Sequence, residues 1–411
     1  MISQFAEFRR HWALVLLAAL GVGLSISVFG VFGWGLFMLP VSTAFGWSLA
    51  SVSLGVTILT LTIAATAPLV GVVVGRFGPY RTILVSMPLV AVSMAGFALV
   101  DGSPPHFYLM CFLIGFFGLG ASPVLWTQLI NQTFTAGRGL ALGVASCGTA
   151  AFLLLVKPGA QAAIQQWGWR AGFLFVAVAP MVTLYPFALI LLRPRRTAAI
   201  PAAAGDQPHV PAETPGYSAL EAVRRWPFIA LLAACILASS LGGLLPHLEN
   251  ILRTNGIAPA AIGGFASLVG AGLLMGRLIA GALADRLWAP GVFAALLICG
   301  AAGCVGLDLT ANPAATTASI LALGLLAGGE FALLAFIAAG YFGMRRYGVI
   351  FGLLWGVLIS AGGVWSFVIG ALVDRTGSYA GALQLCAASL CLGAVILFTL
   401  GRAPGWRAAT A

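Results

Sequence analysis

The sequence is short of charge. Only 7% of its 411 residues are Asp, Glu, Lys or Arg, and Lys157 is the only lysine. A soluble domain carries about 25% charged residues. The shortage therefore excludes a chain whose whole surface faces water. With 61% hydrophobic residues and a mean hydropathy of +1.06, the sequence reads as a helical protein that crosses a membrane many times. A transmembrane β-barrel would alternate polar and apolar residues, and these segments do not.

Other absences narrow the function. No H-E-x-x-H, G-x-x-x-x-G-K-[ST] or G-x-S-x-G is present, and no two acids share a membrane segment. No enzyme activity is expected. The seven cysteines all fall in apolar segments without metal-ligand spacing, so they read as small core residues, and neither a metal nor a cofactor is expected. No cleavable signal peptide is evident, because the first apolar run is long and lacks a small-residue cleavage site. The net charge of +10 would suit nucleic acid, but the basic residues stand at helix ends, as membrane topology requires, and no nucleic-acid partner is expected.

Apolar runs of about 20 residues are candidate spans. Twelve are legible: 12–39, 48–74, 81–100, 107–132, 139–164 and 170–192, then 226–252, 260–284, 288–308, 314–341, 348–373 and 380–402. Between the halves, Arg193 to Arg225 is rich in Pro, Ala and charge, which suits a linker with one short surface helix near its end. The expected division is a bundle over 1–192, a linker over 193–225 and a second bundle over 226–411. Fifteen Lys/Arg residues fall on the side of the termini and linker, against Arg170, Arg253 and Arg375 on the other. That bias predicts a plasma membrane protein, of bacterial inner-membrane type, with both termini cytoplasmic.

The halves repeat. At an offset of 210, Gly46, Gly71 and Arg76 fall on Gly256, Gly281 and Arg286; at 209, Gly168 and Gly172 fall on Gly377 and Gly381. A parallel duplication of a six-helix unit is an architecture of secondary transporters. The fold class expected is therefore all-α, twelve helices in two six-helix bundles.

Gly71, Arg76, Gly78 and Arg81 after the second span, in GVVVGRFGPYR, and Gly281, Asp285 and Arg286 after the eighth resemble the loop motif of the major facilitator superfamily. In the first half Gly75 stands where the motif has Asp. The resemblance implies a cytoplasmic conformational latch at Gly71, Arg76, Arg81, Gly281, Asp285 and Arg286. RGLALG at Arg138–Gly143, GWR at Gly168–Arg170 and YFG-x-x-x-YG at Tyr341–Gly348 are similar to the monocarboxylate-porter and oxalate/formate-antiporter branch.

Arg277 is the key candidate. It lies inside an apolar run, roughly 12 Å from the charged end at Asp285, where a permanent cation needs a partner, a cavity or a ligand. Its setting, Arg277, Gly281, Ala284, Asp285, resembles the eighth-helix arginine with which monocarboxylate porters hold a carboxylate, and a planar fork of donors suits that ligand. The bland alternative is a structural ion pair. Glu330 is the only acid near the middle of a span, at a depth close to that of Arg277, and is the candidate proton-coupling group or a fixed partner of Arg277. Lys157, on the fifth span toward the opposite side, is a second candidate substrate-binding cation or an interfacial lysine that snorkels. His247 and Glu249 read as solvated vestibule residues. Trp34, Phe37, Trp126, Gln128, Asn131, Trp355 and Trp365 are candidates to line a cavity or to pack.

These readings predict a monomeric secondary transporter of a small organic anion, a carboxylate, moved by alternating access with a proton. The alternatives are anion exchange without a proton and, on the same scaffold, a sensor that does not transport.

Overall fold

A computed structural model describes residues 2–134, 141, 144–192, 216–284, 286–309, 312–343 and 345–403. The expected linker falls largely outside them, as do Arg138 and Asp285. Gln128, Asn131 and Gly71 are described by their backbone alone.

Ten helices among the described residues are long and apolar enough to cross a membrane. Two more spans, α4 and α5, are interrupted, and together they make the twelve. α1 comprises Ile2–Gly23, Ile26–Val28, a π turn at Phe29–Gly33 and Gly35–Phe45. α2 and α3 are the arms of Leu49–Gly96 on either side of Gly78. The expected loop between them shrinks to one residue, since Gly78 alone leaves helical geometry, at φ 76° and ψ 159°. α4 is Pro104–Phe117 and Pro123–Thr133, joined by the 3₁₀ turn Gly118–Ala121. α5 holds Gly148–Ala151, a π turn at Phe152–Val156 and Lys157–Trp167. α6 is Trp169–Thr183 and Tyr185–Leu191.

The second half follows the same plan. α7 runs over Trp226–Thr254, α8 over Pro259–Ala284, α9 over Ala289–Leu309, α10 over Pro313–Phe342, α11 over Tyr347–Thr376 and α12 over Ala380–Phe398. The repeat seen in the glycines has a conformational cause. Gly46 and Gly256 end α1 and α7 with φ of 66° and 80°, and Gly168 and Gly377 follow α5 and α11 with φ of 84° and 68°. Only glycine enters that region without strain.

Lipid offers helices little hydrophobic reason to associate, so close backbone approach and polar contacts hold the bundle. α8 and α10 show this best. Gly272 lies against Gly324, Gly276 against the Leu325 backbone, and Gly328 against the Leu273 backbone. The Gly272/Gly276 spacing brings two helices together. The Gly352/Gly356 spacing on α11 does not: both glycines border open space.

Candidate functional site

The two halves meet along two seams flanking a contact of α1 with α7. α2 packs on α11, and α5 packs on α8. At the face away from the termini the first seam is sealed by backbone and charge. Asp374 near the end of α11 accepts hydrogen bonds from the Leu49 and Ala50 N–H groups of α2, at 2.9 and 2.7 Å. These are orphan donors of a helix N-terminus, and a carboxylate there is favoured by the helix dipole. One turn deeper, the His247 ring of α7 is fully buried. Its Nε2 lies 3.0 Å from the Ser366 carbonyl of α11, which can only accept, so Nε2 carries the proton. Nδ1 then accepts from the Tyr379 hydroxyl at 3.3 Å, and Ser53 of α2 approaches Nε2 at 3.4 Å. Deeper still, the Thr57 hydroxyl donates to the Gly363 carbonyl at 2.7 Å.

Beside this seal lies a buried ion pair between the halves. The Lys157 ammonium of α5 contacts the Glu249 carboxylate of α7, and each side chain is 3% exposed. Gly35 of α1 makes room for the carboxylate: a β-carbon there would run into Glu249 Oε2 and the Pro246 carbonyl. His247 and Glu249 are thus not the solvated residues expected from the sequence. Their polar sequence context, LLPHLEN, suggested water; the burial comes from α1 and α5 packing over α7, which no local pattern reveals.

The second seam descends from Lys157. The Ser267 hydroxyl of α8 donates to the Leu153 carbonyl at 3.0 Å. One stretch further, the Arg277 guanidinium of α8 donates to the Ser146 carbonyl of the first half. Arg277 is partly buried and forms no ion pair among the described residues. It does not pair with Glu330. That carboxylate, partly buried on α10, has neither a hydrogen bond nor an ion pair among the described residues. Eleven helical residues separate Ser146 from Lys157, so the two cations stand roughly 16 Å apart along α5.

Toward the termini the halves part around a cavity of about 1250 Å³. Ser27 of α1, Thr66 of α2, Ser122 of α4, Phe331 of α10, and Trp355 and Ser360 of α11 are among its walls. Trp365 also reaches it, while Trp34, Phe37 and Trp126 are buried in packing. The cavity is largely apolar, and Arg277, Glu330 and Lys157 are not among its lining residues. At the termini face, Arg76, Arg81, Gly281 and Arg286 of the expected latch are exposed, and Arg76 sits over the Phe77 ring at 5.7 Å. Arg170 is structural: it donates to the Ala98 and Val100 carbonyls at 3.1 and 3.0 Å and lies over Trp169. Asp308 accepts from Gln384 at 2.9 Å.

The family description of the Major Facilitator Superfamily matches residues 15–366. The chain belongs to this superfamily. Its members, and the relatives of this chain, are transporters rather than enzymes. Similar proteins include monocarboxylate transporter 13 of Bos taurus, 27% identical over 95% of this chain and 89% of the relative. Monocarboxylate transporter 11 of Homo sapiens is 28% identical over 82% of this chain and 72% of the relative. An uncharacterized MFS-type transporter of Bacillus subtilis (strain 168), YcxA, is 25% identical over 64% of this chain, and the match spans 62% of that protein, less than two thirds. The chain is thus a multi-pass membrane transporter of a small molecule.

Proposed function

We propose that this major facilitator protein carries a small organic anion, a carboxylate, together with a proton. The observation that carries the reading is the Arg277 guanidinium on the α5–α8 seam. Its only hydrogen-bond partner among the described residues is a backbone carbonyl of the other half. A cation held there without a carboxylate among the described residues has donors to spare for a carboxylate ligand, and the low dielectric strengthens that contact. The names of two relatives fit this chemistry. Lys157 is the second cation, nearer the sealed face. Glu330 is the proton carrier deep in the second half, an acid with no fixed countercharge among the described residues. The termini and the open cavity face the cytoplasm, where the excess of Lys and Arg lies, so the fold is seen inward-open.

The test is uptake of labelled pyruvate, benzoate and succinate into proteoliposomes, with and without an inward proton gradient. Arg277→Lys is expected to lose most transport, because a point charge replaces a two-pronged donor. Glu330→Gln is expected to abolish the gradient's effect while counterflow persists. Full uptake by Arg277→Lys rejects the clamp. An undiminished gradient effect in Glu330→Gln removes that residue from the coupling, and counterflow without any gradient effect in the unmodified protein favours the exchanger reading.

A further inference from the structure

Among the described residues, the sealed face holds one buried ion pair between the halves. Glu249 is 2% exposed, and neither carboxylate oxygen has a hydrogen bond beyond the Lys157 contact. α5 contributes Lys157; α1 contributes Gly35 and no charge; α7 contributes His247, turned to Ser366 and Tyr379. The Tyr379 phenol feels Glu249 and Asp374 electrostatically, and Asp374 is engaged by the α2 N-terminus. Lys157 is therefore the only cation set against Glu249 among the described residues.

Alternating access requires this face to open, which draws α5 away from α7 and parts the pair. Each time the face closes again, both charges return to a place without water, where an uncompensated ion is costly. Resting on the anion-transport reading above, we infer that Lys157 and Glu249 form a partner-exchange gate: the transported carboxylate replaces Glu249 on the Lys157 ammonium while a proton replaces Lys157 on Glu249.

The charges balance in two states only. Empty, the ammonium and carboxylate neutralise each other. Loaded, the ammonium faces the substrate carboxylate, and Glu249 has become a neutral acid by taking one proton from water at the open face. No other bond is made or broken. An anion alone would bury Glu249 bare, and a proton alone would bury Lys157 bare. Closure is therefore permitted with both or with neither, which couples one proton to one carboxylate. As the anion moves down the α5–α8 seam toward Arg277, Lys157 recovers Glu249 and the proton is released inward, where Glu330 is the next acid. The inference adds an outer coupling group to Glu330, and it assigns Lys157 a role in gating as well as attraction.

The pair can be tested without knowing the substrate. Spin labels at Asp101→Cys and Ser378→Cys, exposed loop positions in different halves on the sealed face, would be placed in full-length protein with its seven native cysteines replaced. Double electron–electron resonance in nanodiscs would then report opening at pH 8 and pH 5.5. Protonation of Glu249 strips Lys157 of its partner, so the unmodified gate is closed at pH 8 and its open fraction rises at pH 5.5. Glu249→Gln is open at both values. Lys157→Met inverts the response: open at pH 8, where the carboxylate is bare, and closed at pH 5.5. The neutral pair Lys157→Met/Glu249→Gln closes at both. If the single variants do not fold, the neutral double variant decides alone. Loss of its pH response supports the gate, and a response like that of the parent assigns the titration to His247 or Asp374 and overturns it. A parent that stays closed at both values overturns it too, whatever the protein transports.

Discussion

Gly35 and Glu249 are complementary in shape: the hydrogen that stands for a side chain on α1 is what leaves space for the carboxylate on α7. Gly35→Ala is expected to force α1 aside or push the carboxylate off Lys157. Overpacking of this kind typically costs about 1–3 kcal/mol. A lowered melting temperature in detergent, together with slower transport, is the outcome that checks it; an unchanged protein would mean that the carboxylate has somewhere else to go.

Asp374 bridges the halves through two N–H groups of α2. Asp374→Asn keeps the shape but removes the charge and one of the acceptors. Helix-cap losses run to about 1 kcal/mol, so the sealed face should open several-fold more often. Faster thiol labelling of a cysteine introduced at the buried Ser53, normalised to one at exposed Ser378, reads this directly.

Gly276 touches the Leu325 backbone, and Gly328 touches that of Leu273. Neither neighbour is a flexible chain end that could yield. Gly276→Val is expected to separate α8 from α10 and abolish monodisperse expression, as judged by fluorescence-detected size-exclusion chromatography. Gly352→Ala, which borders open space, should express normally and serves as the contrast.

The short helix Ala219–Val223 ahead of α7 begins with a capping box. Ser218 receives the Glu221 N–H at 3.3 Å, and Glu221 receives the Ser218 N–H at 2.8 Å. These hydrogen bonds from Ser218 hold the Glu221 carboxyl below its usual range, helped by Arg345 and Arg225. A depressed acid stabilises the folded form above its unfolded titration point and loses that contribution as the pH falls through the folded one. Amide exchange in residues 218–223, corrected for its intrinsic rate, should therefore quicken selectively below about pH 4, and Glu221→Gln should remove that pH dependence.

Most of the architecture was legible. Span count, family and the repeat follow from apolar run length and from glycines at Gly46, Gly168, Gly256 and Gly377, because those glycines are required by backbone geometry. Arg277 was found because a lone cation in an apolar run is conspicuous whatever its surroundings. Its partner was not: depth alone made Glu330 plausible, yet the two form no ion pair among the described residues, and the Ser146 carbonyl faces Arg277 instead. The Lys157–Glu249 pair was missed for the converse reason. Both residues fall toward the same face, on α5 and α7, but Lys157 reads as a substrate-binding cation or a snorkelling lysine and Glu249 as a solvated vestibule residue. The available signal was that the only lysine and one of few acids share a depth in different halves. What covers them is a property of the packed bundle, and Gly35 is too common a residue type to announce it.

The π turns at Phe29–Gly33 and Phe152–Val156 end just before Gly35 and Lys157, and Gly33 packs against the Phe152 ring. A π turn holds one residue more than an α turn needs. Winding that surplus back into regular helix swivels everything beyond it by about 100°, the angle of one helical residue. α1 and α5 thus each carry a built-in pivot beside the charges that hold the face shut. Either helix can turn its glycine or its lysine away from Glu249 by torsion alone, with its axis left where it stands.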